Sequence, residues 1–438
     1  MNEMQAALLF TLKVLVLFAW AWDFGLALLM LMSHLKARNT LTSSLPKGST
    51  SPRHRFAFLI PAHNEEKVIG PLLDSINRQS YPSELYKVYI AADRCTDKTA
   101  EVARSKGATV IERWEGQSGK TWNIRYALEK IPLEAYDYLV VVDADNLVAP
   151  DFLREVDRFL QENPNTKALQ GYLDVKNPFD TWVTKAIAVA YWVTNLVWFR
   201  SREVLGLSAT LGGTGMVLST ALLRERGWKA ESLTEDLELH VDLVLQGERV
   251  QYLETARVYD EKPLDLRASY RQRVRWYQGH WYLLFKKAPL VLGSLLTCKS
   301  NRPLVLLDTL LFLFAPAKYL ASLTLLLGFL VENLVVAHPG KVGAYLALFA
   351  LIYGPLSGTI ASLARFGKLH PKVLEAGFYV VPYSFLWLLV AVHALLKAHN
   401  QGHWVKTPHE RTIEVENLEE SALLAGYKES MGSPEREK

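Results

Sequence analysis

The run Asp143-Ala144-Asp145-Asn146 follows the apolar stretch YLVVV, so two carboxylates stand two residues apart where a strand would end. As the chain leaves a sheet there, both can turn their oxygens toward one point. Two hard oxygen ligands that leave other coordination positions open suit Mg²⁺ or Mn²⁺ bridging to a diphosphate. The same pattern also makes an ordinary turn or helix cap. A second candidate is LTEDLEL, residues 233–239. Thr234 can cap the following helix, and Glu235 and Asp236 in its first turn are favoured by the helix dipole. If that turn faces the metal site, a carboxylate there can take a proton from an attacking hydroxyl. A third is RQRVRWYQGHW, where Gln272, Arg275 and Trp276 at i, i+3 and i+4 share one helix face.

The elements that must position these groups follow from hydrophobic periodicity. RFAFLIPAHNEE, KVYIAADRCTD, ATVIERW and DYLVVVDADN read as short strands, and the helical patterns VIGPLLDSINRQS, KTAEVARSKG and KTWNIRYALEK alternate with them. Alternation of this kind predicts an α/β fold with a mostly parallel sheet and helices on both faces, where ligands collect at the carboxyl ends of the strands. Those ends carry PAHNEE, ADRCTD and DADN, all with carboxylates. No G-x-G-x-x-G follows the first strand, which argues against nicotinamide chemistry, and LGGTGM (211–216) comes too late for that role.

The chain has 438 residues, half of them hydrophobic, with a mean hydropathy of +0.06 and a formal charge of +4. The oil is concentrated. Residues 6–32 form an apolar run longer than the roughly 20 residues that cross a bilayer, and it reads as a retained anchor rather than a signal peptide. Further runs at 303–331, 342–363 and 374–396 predict a C-terminal transmembrane region within 303–397, followed by a polar tail at 398–438. The Lys and Arg residues after the first run place the intervening domain in the cytosol by the positive-inside rule. Two cysteines suit a reducing compartment, and the balanced charge excludes a nucleic-acid partner. The oily but charge-bounded segment at about 182–204, and the helix at 265–290, read as interface helices lying on the membrane. On that helix Arg267, Arg271 and Arg273 are left for lipid phosphates.

Taken in order from about residue 56 to 281, these motifs resemble glycosyltransferase family 2, in particular its membrane-embedded branch of cellulose, hyaluronan, chitin-oligosaccharide and poly-N-acetylglucosamine synthases. The resemblance implies a GT-A fold for a cytosolic domain at 53–262, and inverting transfer of a sugar from a nucleotide-sugar, expected to be a UDP-sugar. PAHNEE, with Pro61, Ala62, Asn64 and Glu65, and Asp93 look like its nucleoside-binding edge, and Lys120 of GKTWN like its nucleotide-proximal lysine. Asp143 and Asp145 resemble the metal-binding D-x-D, which implies Mg²⁺ or Mn²⁺ as cofactor, with Asp143 also on the donor side. Asp236 of TED corresponds to the catalytic base, with Glu235 beside it, and QRVRW fits Q-x-x-R-W. There Gln272 and Arg275 would meet the donor diphosphate, and Trp276 would offer the acceptor a flat platform. Gly213 and Thr214 would let backbone approach the acceptor, although a plain tight turn serves equally.

The resemblance implies a multi-pass protein of the cell (inner) membrane that builds a β-linked polysaccharide or oligosaccharide, with membrane lipids and export proteins as partners. Transfer of a single sugar to a membrane lipid is the alternative, and a non-catalytic nucleotide-sugar-binding subunit of an export complex is a third reading. NQGHWVKTPHER is similar to the branch's gating segment, with Trp404, Thr407 and His409 in the matching positions. Three late crossings would put that segment outside the cell, whereas gating requires it at the cytosolic site. A run broken at Pro316 or Pro382 would resolve the conflict, and a cytosolic tail is expected.

Overall fold

Five consecutive apolar residues in FAFLI leave no wet face, so the first strand must be covered on both sides. In the computed structural model, which describes residues 22, 24–25, 27–36, 51–297, 302–330 and 339–402, this strand is buried almost throughout. The first helix bounded among the described residues is α1 (Ala27–Lys36); most of the expected anchor at 6–32 lies outside the described residues. The chain continues through β1 (Phe56–Ala62), α2 (Ile69–Asn77), β2 (Tyr86–Asp93), α3 (Thr99–Ser105), β3 (Thr109–Arg113), α4 (Lys120–Leu128), β4 (Tyr138–Val141) and β5 (Leu147–Val148). Next come α5 (Phe152–Glu162), β6 (Ala168–Val175), α6 (Trp182–Thr194), a π-helical turn (Asn195–Arg200), α7 (Ser201–Leu205), β7 (Met216–Ser219), α8 (Thr220–Arg226), α9 (Glu235–Leu245) and β8 (Val250–Asp260). The rest is helical: α10 (Leu266–Leu296), α11 (Pro303–Leu313), α12 (Ala315–Leu330), α13 (Pro339–Phe366), α14 (Pro371–Ser384) and α15 (Leu386–Leu396).

The sheet has the order β3-β2-β1-β4-β7-β6-β8-β5. Strands β3, β2, β1 and β4 are parallel, as the alternating pattern predicts. Strand β7 runs antiparallel between β4 and β6, and β5 runs antiparallel on the far edge of β8. The parallel register aligns the ends of β1, β2 and β4, so Ala62, Asp93 and Asp143 leave the sheet on one edge.

The segment at 182–204 is less a surface helix than a wedge. Ala186, Ile187, Ala188, Val189 and Trp192 are fully buried, and Trp192 Nε1 donates to Asp174 Oδ1 of β6 at 2.8 Å. The late apolar runs differ from three straight crossings. Residues 347–366 of α13 form the one helix, among those described, long and apolar enough to cross a membrane alone. The other two runs are bent pairs, α11 with α12 at 46° and α14 with α15 at 41°, so each is a broken span or a re-entrant loop. Pro316 removes the amide that would bond to Phe312 O, and His280 Nε2 donates to that carbonyl instead, at 3.0 Å. Only the neutral ring is held there, because burial pushes His280 down to about 4.

Helices α11, α14 and α15 are tied to the sheet domain and to α10. Arg202 pairs with Asp308 of α11 at 2.8 Å, Lys185 with Glu375 of α14 at 2.8 Å, and Trp281 Nε1 donates to Ala391 O of α15 at 3.0 Å. Helix α13 returns Arg365 to Asp174 at 2.8 Å. The chain after α15 comes back to α9 and α10, where Gln401 Oε1 accepts from Leu233 N at 2.9 Å and Gln278 bonds to Asn400 O. The segment from Asn400 therefore starts beside TED. Trp404, Thr407 and His409 lie outside the described residues.

Candidate active site

Gly119 precedes α4 with φ of 125°, a turn that aims the first helical side chain, Lys120, back over the sheet edge. Its Nζ lies 2.6 Å from Asp143 Oδ1 and 3.1 Å from Glu235 Oε1, and donates to Gly213 O at 2.8 Å. One ammonium thus ties the β4 exit, the start of α9 and the glycine loop together. Burial would lower its affinity for a proton, but Asp143, Glu235 and Asp236 together raise it, so it stays charged. Gly213 has φ of 81°, and a Cβ there would meet Asp236 Oδ2 at 3.2 Å and Lys120 Nζ at 3.5 Å, so the loop passes directly over the acid cluster.

The carboxylates are crowded. Burial holds Asp143 above its usual range, with Asp145 and Glu235 adding to the effect against Lys120. Burial and Glu235 raise Asp236 to about 7, while Lys120 and the Leu237 amide hold it back. Asp260, at the end of β8, is pushed up to about 6, chiefly by burial, with Asp145 and Asp143 opposing the relief that Lys262 gives. The Asp143–Asp145–Asp260 corner therefore gathers mutually repelling carboxylates, of which Asp143 is paired with Lys120 and Asp260 with Lys262. It offers oxygen donors only, which fits Mg²⁺ or Mn²⁺. No set of three His, Cys, Asp or Glu groups among the described residues encloses an ion by itself, so the remaining ligands would come from a diphosphate.

Asp143 N donates to Thr214 Oγ1 at 3.1 Å and Asn146 Nδ2 at 2.6 Å, so that hydroxyl holds the DAD turn in place. Thr234 does not cap α9 with its side chain, contrary to the simplest reading of TED. The loop is fixed instead by Glu238 Oε2, which accepts from Glu231 N and Ser232 N at 2.9 Å each. Thr234 packs against Gly279, where a Cβ would lie 3.0 Å from Thr234 N. The absent side chain at Gly279 lets α10 seat on the start of α9.

A single cavity of about 490 Å³ brings the expected groups together. Pro61, Ala62, Glu65 and Asp93 line one end, where the strands leave the sheet, and Asp143, Asp145, Lys120, Glu235 and Asp236 lie farther in. Gly213, Thr214, Gln272, Arg275 and Trp276 complete it. Gln272 Oε1 and Arg275 Nε are buried with no hydrogen-bond partner among the described residues, as groups awaiting a ligand would be. Asn64 is not on the wall; its φ is 56° and its Oδ1 accepts from Thr96 N at 2.8 Å, so it shapes the loop behind. Asp93 is bound by Arg113 Nη1 at 2.8 Å and Arg94 Nη1 at 3.0 Å. Sequence reasoning missed Asp260, although ARVYDEK has the same strand-then-aspartate signature as DADN. It also placed Arg273 toward lipid, whereas that side chain is 2% exposed and faces the cavity. Arg267 and Arg271 are exposed, as read.

Residues 52–279 match the family model described as glycosyltransferase like family 2. The chain belongs to that family. A family 2 relative, the beta-monoglucosyldiacylglycerol synthase of Nostoc sp., is 31% identical over 52% of this chain and 51% of its own length. The chain thus spans about half the length of such curated relatives. The probable glycosyltransferase YdaM of Bacillus subtilis is 21% identical, over 81% of this chain and 86% of its own. Among solved structures, the mannosyltransferase PcManGT from Pyrobaculum calidifontis, in complex with GDP-Man and Mn²⁺, superposes with a TM-score of 0.52. At 18% identity, covering 89% of this chain and all of that one, the likeness shows the GT-A-type fold.

Proposed function

We propose that the protein is an inverting glycosyltransferase that moves a sugar from a nucleotide-sugar to an acceptor hydroxyl at a membrane surface. The observation that carries this reading is the shared cavity, in which Asp236, raised to about 7, lies with Asp143, Asp145, Lys120, Gln272 and Arg275. Pro61, Ala62, Glu65 and Asp93 receive the nucleoside. Gln272 and Arg275 address the diphosphate, the guanidinium by its planar fork. Asp143 and Asp145 would hold Mg²⁺ or Mn²⁺, which when bound supplies charge neutralisation for the leaving diphosphate. Asp236 accepts the proton of the attacking hydroxyl, and its elevated affinity for protons suits a base operating near neutrality. Glu235 and Lys120 position it. Trp276 gives the acceptor its platform. Attack from the face opposite the leaving group inverts the anomeric centre, so an α-linked donor gives a β-linked product.

The bent pair α11–α12 and helix α13 are proposed as two membrane crossings, with α14 and α15 lying along the interface. Two crossings bring the chain back to the side where Gln401 meets Leu233, and the exposed leucines of α11 and α15 face lipid. The domain at 53–262 is accordingly cytosolic. The test uses the protein reconstituted in vesicles with a panel of nucleotide-sugars and Mn²⁺. Transfer should be lost by about 10²–10⁴-fold in Asp236→Asn with nucleotide binding retained. Binding without turnover for every donor would instead indicate a non-catalytic subunit. Product length separates a polymer, the reading the Gln272–Trp276 motif suggests, from a single glycolipid.

A further inference from the structure

The cavity has a second half that the transfer chemistry does not use. Beyond Trp276 its wall is formed by Phe199, Phe312, Ala315, Tyr383 and Trp387. Ala315 lies at the bend between α11 and α12, and Tyr383 and Trp387 flank the bend between α14 and α15. This half therefore opens among helices that carry exposed leucines, including Leu304, Leu311, Leu389 and Leu396.

Into this apolar half projects one cation, Arg273. Its guanidinium carbon lies 4.9 Å from the ring centre of Tyr383, 5.1 Å from Trp387 and 5.5 Å from Trp276. Nη1 donates to Ser269 Oγ at 2.8 Å, while Nε is buried and makes no hydrogen bond among the described residues. The other buried arginines each have a carboxylate: Arg113 has Asp93, Arg202 has Asp308 and Arg365 has Asp174. Arg273 makes no such pair among the described residues. Aromatic faces offset part of the desolvation of a buried guanidinium, but an unpaired buried charge remains costly unless a ligand completes it.

We propose that Arg273 is an acceptor-anion subsite: the acceptor is an amphiphile with a phosphate or carboxylate at its head, held by the free edge of Arg273. Its apolar part lies against Phe312 and Trp387 and its reacting hydroxyl near Asp236. This rests on the transfer reading above and adds the acceptor's chemical class. A neutral acceptor would leave the guanidinium with Ser269 and the aromatic faces but no opposite charge, whereas an anion meets it through charge-assisted hydrogen bonds.

The test measures binding of dodecyl phosphate, dodecanol and inorganic phosphate by equilibrium dialysis, using full-length protein in phosphatidylcholine nanodiscs. Mn²⁺ and saturating UDP or GDP, whichever binds, occupy the donor half so that its own cationic groups are not read. Wild-type protein should bind dodecyl phosphate about 10- to 100-fold more tightly than dodecanol, the span of a hydrogen bond to a charged partner. It should also bind it more tightly than inorganic phosphate. Arg273→Gln should remove the preference over dodecanol, Arg273→Lys should restore part of it, and nucleotide affinity should not change in either. Equal binding of dodecyl phosphate and dodecanol by wild type overturns the subsite without reliance on any variant. So does a preference that survives Arg273→Gln, and equal binding of inorganic phosphate overturns the amphiphile. Failure of the transfer reading would appear separately, as absent nucleotide binding or absent turnover.

Discussion

Lys120 is the only cation in contact with the Asp143–Glu235 pair among the described residues, so replacing it by methionine tests the electrostatics of the site directly. The position of a Cβ on Gly213 is 3.2 Å from Asp236 Oδ2 and 3.5 Å from Lys120 Nζ, so the two charges are at most about 6.7 Å apart. At an effective dielectric of about 20 that separation is worth roughly 2.5 kcal/mol, close to two pH units. With water at the cavity mouth discounted, the expected shift is about one to two units. Lys120 favours the ionised carboxylate, so its loss raises the affinity of Asp236 for a proton from a starting point of about 7. A base must be deprotonated to act, and activity rises with pH through that value. The assay is kcat/KM for the donor across about pH 5 to 9, which reports the free enzyme. Wild type should show an acid limb near 7, and Lys120→Met a limb moved to higher pH with part of the rate recovered there. An acid limb that stays in place, with activity uniformly reduced, would refute Asp236 as the titrating base under the control of Lys120.

Gly279→Ala should destabilise the protein by about 1–3 kcal/mol in chemical denaturation, because a Cβ would be forced against Thr234. It should lower kcat more than donor affinity, since Glu235 and Asp236 ride on the displaced turn. Arg365→Ala should cost about 2–3 kcal/mol, less than the roughly 3–5 of a fully broken buried pair, because Arg257 remains 3.9 Å from Asp174. A change within error would mean that the pair contributes nothing to docking α13. His280→Ala should lower the melting temperature by removing the side-chain hydrogen bond to Phe312 O, at about 0.5–1.5 kcal/mol, since a backbone N–H at the end of α11 still reaches that carbonyl. His280 is depressed in the folded state, so its contribution is present above its unfolded value of about 6.5 and lost as pH falls toward 4. The stability difference between wild type and variant should therefore shrink across that acid window.

Much of the parallel half of the fold was legible, because β1, β2, β3 and β4 are short apolar runs that end in polar clusters. The antiparallel half was not. Strand β7 hides behind LGGTGM, whose glycines read as a turn, and β8 mixes buried and open positions with no clean alternation. With β8 unseen, Asp260 had no strand to end. The motif residues of TED and Q-x-x-R-W could be picked out because their types are unusual at that spacing. The side on which Arg273 falls was not readable, because Tyr383 and Trp387 of α14 and α15, which cover it, are far from it in the chain. Likewise the bends in the late apolar runs were signalled by Pro316 and Pro382, but hydropathy cannot tell a tilted interface helix from half of a crossing.

Helices α13 and α14 meet through glycine. A Cβ on Gly377 would lie 2.7 Å from Gly358 N, and one on Gly358 would lie 2.9 Å from Leu374 O, so the two backbones touch. Backbone contact of this kind leaves the joint little room to shift, and Arg365 and Lys185 fasten its two members to the sheet domain. With α12 and α13 seated in a bilayer, the height of Asp236 above the lipid would be set like the depth stop on a drill. Only acceptors that present a hydroxyl at that level would be modified, so bilayer thickness itself would become a variable of substrate choice.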